Sequence, residues 1–161
     1  MPQYSLNNEQ VGTQQALTTT YKSQLSVTAI TGATTLRRVW IYEMEIGASS
    51  VPNSTDCPIS YDVGLLTVAG TSTAGVPKPI DPSDVPAAQS TYGVNYTAEP
   101  TVAVTSSLFY IALNQRASQR WVARDQQSSL ICPAVNPQGL VLRALSPNYT
   151  GFVSAQWYVQ E

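Results

Sequence analysis

The chain has 161 residues, of which 43% are hydrophobic and only 11% charged, and it contains no histidine. That length fits one domain with a core that needs no metal or disulfide staple. A net charge of −2 leaves no electrostatic footprint for nucleic acid, and the lack of imidazole removes Ser-His-Asp, Cys-His and histidine–metal chemistry.

Residues 1 to 22 read as an extended N-terminal arm, polar and weakly patterned: Gln3, Asn7, Asn8, Glu9, Gln10, Gln14 and Gln15, then a run of threonines. About 20 extended residues span roughly 66 Å at ~3.3 Å each, so the arm is expected to order on a partner, with Leu6, Val11 and Leu17 as its apolar anchors. Nothing near the start has the basic and apolar pattern of a secretory leader. No stretch approaches the roughly 18 apolar residues of a membrane span. The expectation is a protein made in a cytoplasm, with Cys57 and Cys132 reduced.

Residues 23 to 161 read as a β-sandwich domain. Leu25, Val27 and Ala29 alternate with Ser26 and Thr28, and Gly32 marks a turn. Over residues 37–47, Trp40, Tyr42, Met44 and Ile46 are expected on the buried face, with Val39, Ile41, Glu43 and Glu45 on the other. A second apolar strand covers residues 59–69. From 71 to 90 a Pro-rich loop interrupts the pattern; Pro77, Pro79, Pro82 and Pro86 exclude a central strand. Its length and stiffness predict an excursion from the sheet that contacts a partner through Pro77, Pro79 and Pro82.

Strand signals return at Tyr92. The run from Leu108 through Tyr110 to Leu113 is apolar at every position and is expected to be covered on both faces, by the second sheet and by a neighbouring subunit. A homotrimer follows, with Leu108, Tyr110 and Leu113 in its interface. Four further strands, near residues 118–124, 128–132, 140–144 and 152–159, complete the set. In the last, Val153, Ala155, Trp157 and Val159 share one face. Short strands separated by turn residues indicate an all-β, antiparallel sandwich of jelly-roll-like type.

No catalytic, metal or cofactor constellation emerges. Glu43 and Glu45 have glycosidase-like spacing but sit without a supporting polar cluster, so a solvated strand face is the better reading. Asp81 and Asp84 read as turn residues rather than calcium ligands. Arg116, Arg120 and Arg124 form either a ridge for acidic residues of a partner or scattered surface cations. Three Asn-x-Thr matches, at Asn53, Asn95 and Asn148, are chance in a chain so rich in Ser and Thr. Tyr92, Tyr96 and Tyr149 lie near turns and offer an alternative role, a sugar-binding platform.

Residues 111–118, Ile-Ala-Leu-Asn-Gln-Arg-Ala-Ser, followed by Arg120-Trp121-Val122-Ala123, resemble small β-rich structural proteins of tailed bacteriophages. The loop Pro77-Lys78-Pro79-Ile80-Asp81-Pro82, leading to Pro86-Ala87-Ala88, is similar to one in the same group. The resemblance extends over about residues 60 to 161 and is closest to capsid decoration, or cement, proteins. It implies a non-enzymatic virion component on the head surface, assembled in the host cytoplasm. Trimeric sandwiches with terminal arms would clamp neighbouring major capsid protein subunits. The alternative is a carbohydrate- or receptor-binding module of a phage tail or fibre.

Overall fold

Period-2 alternation of Val, Ile, Leu and aromatic residues with Ser, Thr and Gln makes strands with one dry and one wet face. In the computed structural model, which describes residues 1–9, 11–29, 36–83 and 89–161, this alternation generates thirteen strands. They are β1 (Gln3–Asn7), β2 (Lys22–Thr28), β3 (Val39–Ala48), β4 (Pro58–Val68), β5 (Thr71–Ala74), β6 (Lys78–Pro79) and β7 (Thr91–Ala98). The chain continues through β8 (Thr101–Val102), β9 (Phe109–Asn114), β10 (Ser118–Val122), β11 (Leu130–Cys132), β12 (Gly139–Leu145) and β13 (Val153–Gln160). One turn of 3-10 helix, Gln126–Ser128, precedes β11 and is capped by the Asp125 carboxylate.

The strands form two antiparallel sheets packed face to face as a β-sandwich. Sheet A runs β10–β3–β13–β1–β6, with β11 also on β3; sheet B runs β5–β7–β2–β12–β4–β8, with β9 also on β4. Many strands adjacent in sequence lie in opposite sheets, among them β1 and β2, β3 and β4, and β12 and β13. The chain therefore closes the core by crossing between sheets, and most of its packing is long-range. Trp157, Tyr61, Tyr149, Ile41, Met44, Leu25, Leu140 and Leu142 are fully buried between the layers. Each large apolar side chain so buried stabilises by about 1.5–3 kcal/mol.

In β13, Val153, Ala155, Trp157 and Val159 all point inward, as the alternation predicts. In β3 it fails midway. The pairing with β13 slips by one residue at Tyr158–Val159, so Tyr42 and Glu43 form a bulge. Val39 and Ile41 thus join Met44 and Ile46 in the core, while Trp40 and Tyr42 are only half-buried. A bulge inserts one residue and inverts the face of everything beyond it.

The described first part of the Pro-rich segment is held in the sheets. β5 pairs with β7 at the edge of sheet B, and β6 pairs with β1 at the edge of sheet A. Proline is tolerated here because an edge strand has one side on which no donor is required. Pro77 and Pro79 are partly buried and Pro82 is exposed, beside the exposed Val76 and Ile80. The Gly32 turn, Asp84 and the Pro86 end of the loop lie outside the described residues.

The expected N-terminal arm is instead part of the sandwich. β1 pairs along its length with β13, from Gln3↔Gln160 to Asn7↔Gln156, and buries Tyr4 and Leu6. Leu17 is 1% exposed and Leu6 3%, so both anchors face this chain's own core, and Val11 packs against it. Beyond β1 the fully buried Asn8 joins both sheets. Its amide donates to the Val153 carbonyl (2.9 Å) and to Gln24 Oε1 (3.1 Å), and its Oδ1 accepts from the Ala155 N–H (2.9 Å). Its own carbonyl accepts from the Asn95 amide at 2.7 Å. Asn95 adopts a left-handed φ of 49°, a conformation asparagine tolerates better than most residues, and also donates to the Val11 carbonyl.

Truncating Asn8 would leave several buried partners unsatisfied, at roughly 1–3 kcal/mol each. Asn8→Ala is therefore expected to lower stability by about 2–4 kcal/mol. Deleting residues 1–8 should lower the melting temperature by roughly 10–20 °C, at about 2–4 °C per kcal/mol for a domain this size. Thermal and urea melts of the two variants give the check. An unchanged melt for the deletion would restore the arm.

Candidate functional site

The two longest strands that lack a second neighbour lie on one side of the sandwich. Among the described residues β9 pairs only with β4, in register from Pro58↔Asn114 to Val63↔Phe109, and β10 pairs only with β3. The two are consecutive in the chain, so the connection between them passes from the edge of sheet B to the edge of sheet A. The rings of Phe109 and Trp121 meet across that gap at 5.9 Å.

The run expected to be apolar on both faces alternates instead. Phe109, Ile111 and Leu113 turn toward the core but are only half-buried, because no further strand closes the side. Tyr110, Ala112 and Asn114 face outward. Leu108 is 52% and Tyr110 59% exposed, whereas Leu113 is partly covered. β9 carries no charged residue and no proline. Natural edge strands are usually protected by exactly such residues, since bare N–H and C=O groups template pairing with another chain.

Two polar networks hold this edge in place. In the β9–β10 turn, buried Gln115 accepts from the Asn53 N–H (3.0 Å) and donates to the Asn53 and Thr55 carbonyls (3.2 and 3.0 Å). Arg116 adds an ion pair to Asp56 at 2.8 Å, which holds that carboxyl below its usual range. Ahead of β9, the buried Asp62 carboxylate accepts from Arg143 Nε (2.6 Å) and from Ser107 Oγ (2.5 Å). Arg143 also lies 4.3 Å from the centre of the Tyr21 ring. Burial, with Asp62 nearby, pushes the Tyr21 phenol up. A buried ion pair needs such additional partners to offset its desolvation.

The remaining residues singled out from sequence are spoken for within the chain. Arg120 reaches Glu43 at 2.5 Å and Glu45 at 3.7 Å, and Arg124 reaches Asp125 at 3.2 Å. With Arg116 on Asp56, the three arginines are not a free ridge. Asp81 accepts from the backbone and hydroxyl of Ser83, a turn contact. Among the described residues no three His, Cys, Asp or Glu side chains converge as metal ligands. No helix there is long and apolar enough to cross a membrane.

Tyr92, Tyr96 and Tyr149 cannot form a surface platform. All three are buried: Tyr92 donates to the Glu161 carboxylate (2.8 Å), Tyr96 to Ser26 (2.5 Å) and Tyr149 to the Ser50 carbonyl (3.2 Å). A tyrosine beside a turn buries its ring and needs only one partner for its hydroxyl. Both cysteines are free and buried, and burial pushes the Cys132 thiol up to about 12.

Comparison with known protein families, curated proteins and solved structures finds no match to this chain. The site must therefore be read from its own geometry.

If Gln115 positions the edge, Gln115→Ala leaves the loop at residues 53–57 without its partners. A loss of roughly 2–3 kcal/mol is expected in urea denaturation. Arg116→Ala, whose pair with Asp56 is exposed, should cost under about 1 kcal/mol.

Proposed function

We propose that this chain is a non-enzymatic structural subunit of a bacteriophage virion, of the capsid decoration (cement) type. It self-associates as a homotrimer through the β9–β10 side and clamps neighbouring major capsid protein subunits on the head surface. The observation that carries the reading is the bare edge itself. β9 combines an open backbone, no charge, exposed Leu108 and Tyr110, and half-covered Phe109, Ile111 and Leu113. A second copy laid along that edge would pair the free backbone groups and finish burying the same side chains. Obligate interfaces resemble a core cut in half, which is the state of this edge in the single chain.

Two further features agree. One of the two segments that carry the phage resemblance, 111–118 with 120–123, falls on β9, β10 and the turn between them. The low charge of the chain reduces the repulsion that like-charged copies would feel. With β1 committed to sheet A, the capsid contacts fall to exposed parts of the Pro-rich loop, where Val76, Ile80 and Pro82 stand out. Three copies of such a modest contact, held in one trimer, would supply high avidity.

Light scattering at micromolar concentration should find a trimer for the wild-type chain. Tyr110→Lys and Ala112→Lys, which put charge on exposed edge positions, should give monomers with little change in melting temperature. A wild-type monomer would overturn the interface. Mass spectrometry of purified particles of the encoding phage should detect the chain in many copies, and its absence from them would overturn the virion role.

A further inference from the structure

The outer face of sheet A is a grid fixed by strand register. Ser154 pairs with Gly47 and Gln156 with Glu45 between β13 and β3, while Gly47 pairs with Ser118 and Glu45 with Arg120 between β3 and β10. Gly47 leaves a depression at the centre of this grid. A Cβ there would come within 3.2 Å of the Ser118 side chain. The resulting groove has a volume of about 370 Å³ and is lined by Glu45, Ser118, Arg120, Ser154 and Gln156. One register step along β13 on the same face stands Tyr158, whose ring lies 6.4 Å from that of Tyr42.

From this arrangement we infer that the outer face of sheet A binds a neutral glycan, with one sugar ring in the groove over Gly47 and the next against Tyr158. Hydroxyl groups both donate and accept, and the groove offers both: acceptors on Glu45, donors on Arg120, and amide or hydroxyl groups of either kind on Gln156, Ser118 and Ser154. A sugar also presents an apolar face of polarised C–H groups, which the electron-rich faces of tyrosine attract. The charge balance excludes a polyanion. Arg120, the single cation of the grid, is already paired with Glu43 and Glu45, so this cluster of one cation and two anions carries −1. The groove floor carries no large aliphatic side chain except the buried Ile46 beneath it, so it lacks the apolar centre of a protein interface.

This inference does not rest on the assembly reading: β10 gives the groove the side chains of Ser118 and Arg120 on the outer face of sheet A, whereas the assembly would use the open backbone edge and the outward side of β9. It is tested with the full chain by saturation-transfer NMR against neutral oligosaccharides of glucose, galactose, mannose and N-acetylglucosamine, with sialylated and sulfated ones alongside. At least one neutral oligosaccharide should bind, and more tightly than any anionic one. Gln156→Ala and Tyr158→Ala should each weaken it at least tenfold, with melting temperatures near wild type confirming the fold. No neutral binding at millimolar concentration, preference for the anionic sugars, or undiminished binding by both folded variants would overturn it.

Discussion

One buried amide, Asn8, decides how much of this chain is domain. It lies where β1 ends, and its side chain and backbone reach β13 of sheet A and both Gln24 and Asn95 of sheet B. In a dry interior such a network is strong when complete and costly when any member is missing. The closed sandwich is therefore substantially less stable without the residues near the N-terminus. The left-handed turn at Asn95 and the burial of Leu6 and Leu17 belong to the same arrangement.

That constraint redistributes the surfaces available for function. The N-terminal strand pairs with β13 along its length and with β6 at Tyr4 and Ser5, so it is committed to this chain's own sheet rather than lent to a partner. What remains is unequal. On the β5 and β6 side the edge strands are short, four and two residues, and one includes a proline. On the other side β9 and β10 are longer, and β9 has neither charge nor proline to deter pairing. The proposed assembly edge is thus the one that the fold leaves least protected. The outer face of sheet A, polar with an aromatic margin, has a different chemistry and the potential for a separate task.

The sandwich class and its principal strands were legible because β2, β4, β12 and β13 are made of unbroken alternation or dense apolar runs. The inward set of β13 could be named residue by residue. Faces were lost where alternation was broken. The bulge at Tyr42–Glu43 inverts β3 and moves Val39 and Ile41 inside, and a bulge leaves no distinct mark in composition. The N-terminal strand is obscure in sequence for another reason. Tyr4, Leu6 and Asn8 do alternate, but the run is short and ends in a polar residue whose burial depends on partners up to 147 positions away. The burial of Tyr92, Tyr96 and Tyr149 has no mark in the sequence, because a tyrosine is compatible with either side of the surface. The apolar density of residues 108–113 marks a strand but not its faces: only the inward half of β9 is packed, and Leu108 and Tyr110 are exposed. The groove over Gly47 had no sequence signal, since it exists only where three strands are in register.

The most direct measurement is residue-resolved hydrogen exchange on the full chain across a range of concentrations. The account predicts that amides of β1 and the N–H groups around Asn8 exchange slowly at every concentration, as core strands do. Outward amides of β9 should be protected when concentrated and exchange quickly on dilution, as the edge loses its second copy. Fast exchange throughout β1, or β9 amides indifferent to concentration, would contradict a domain that seals its N-terminus inside and assembles through β9.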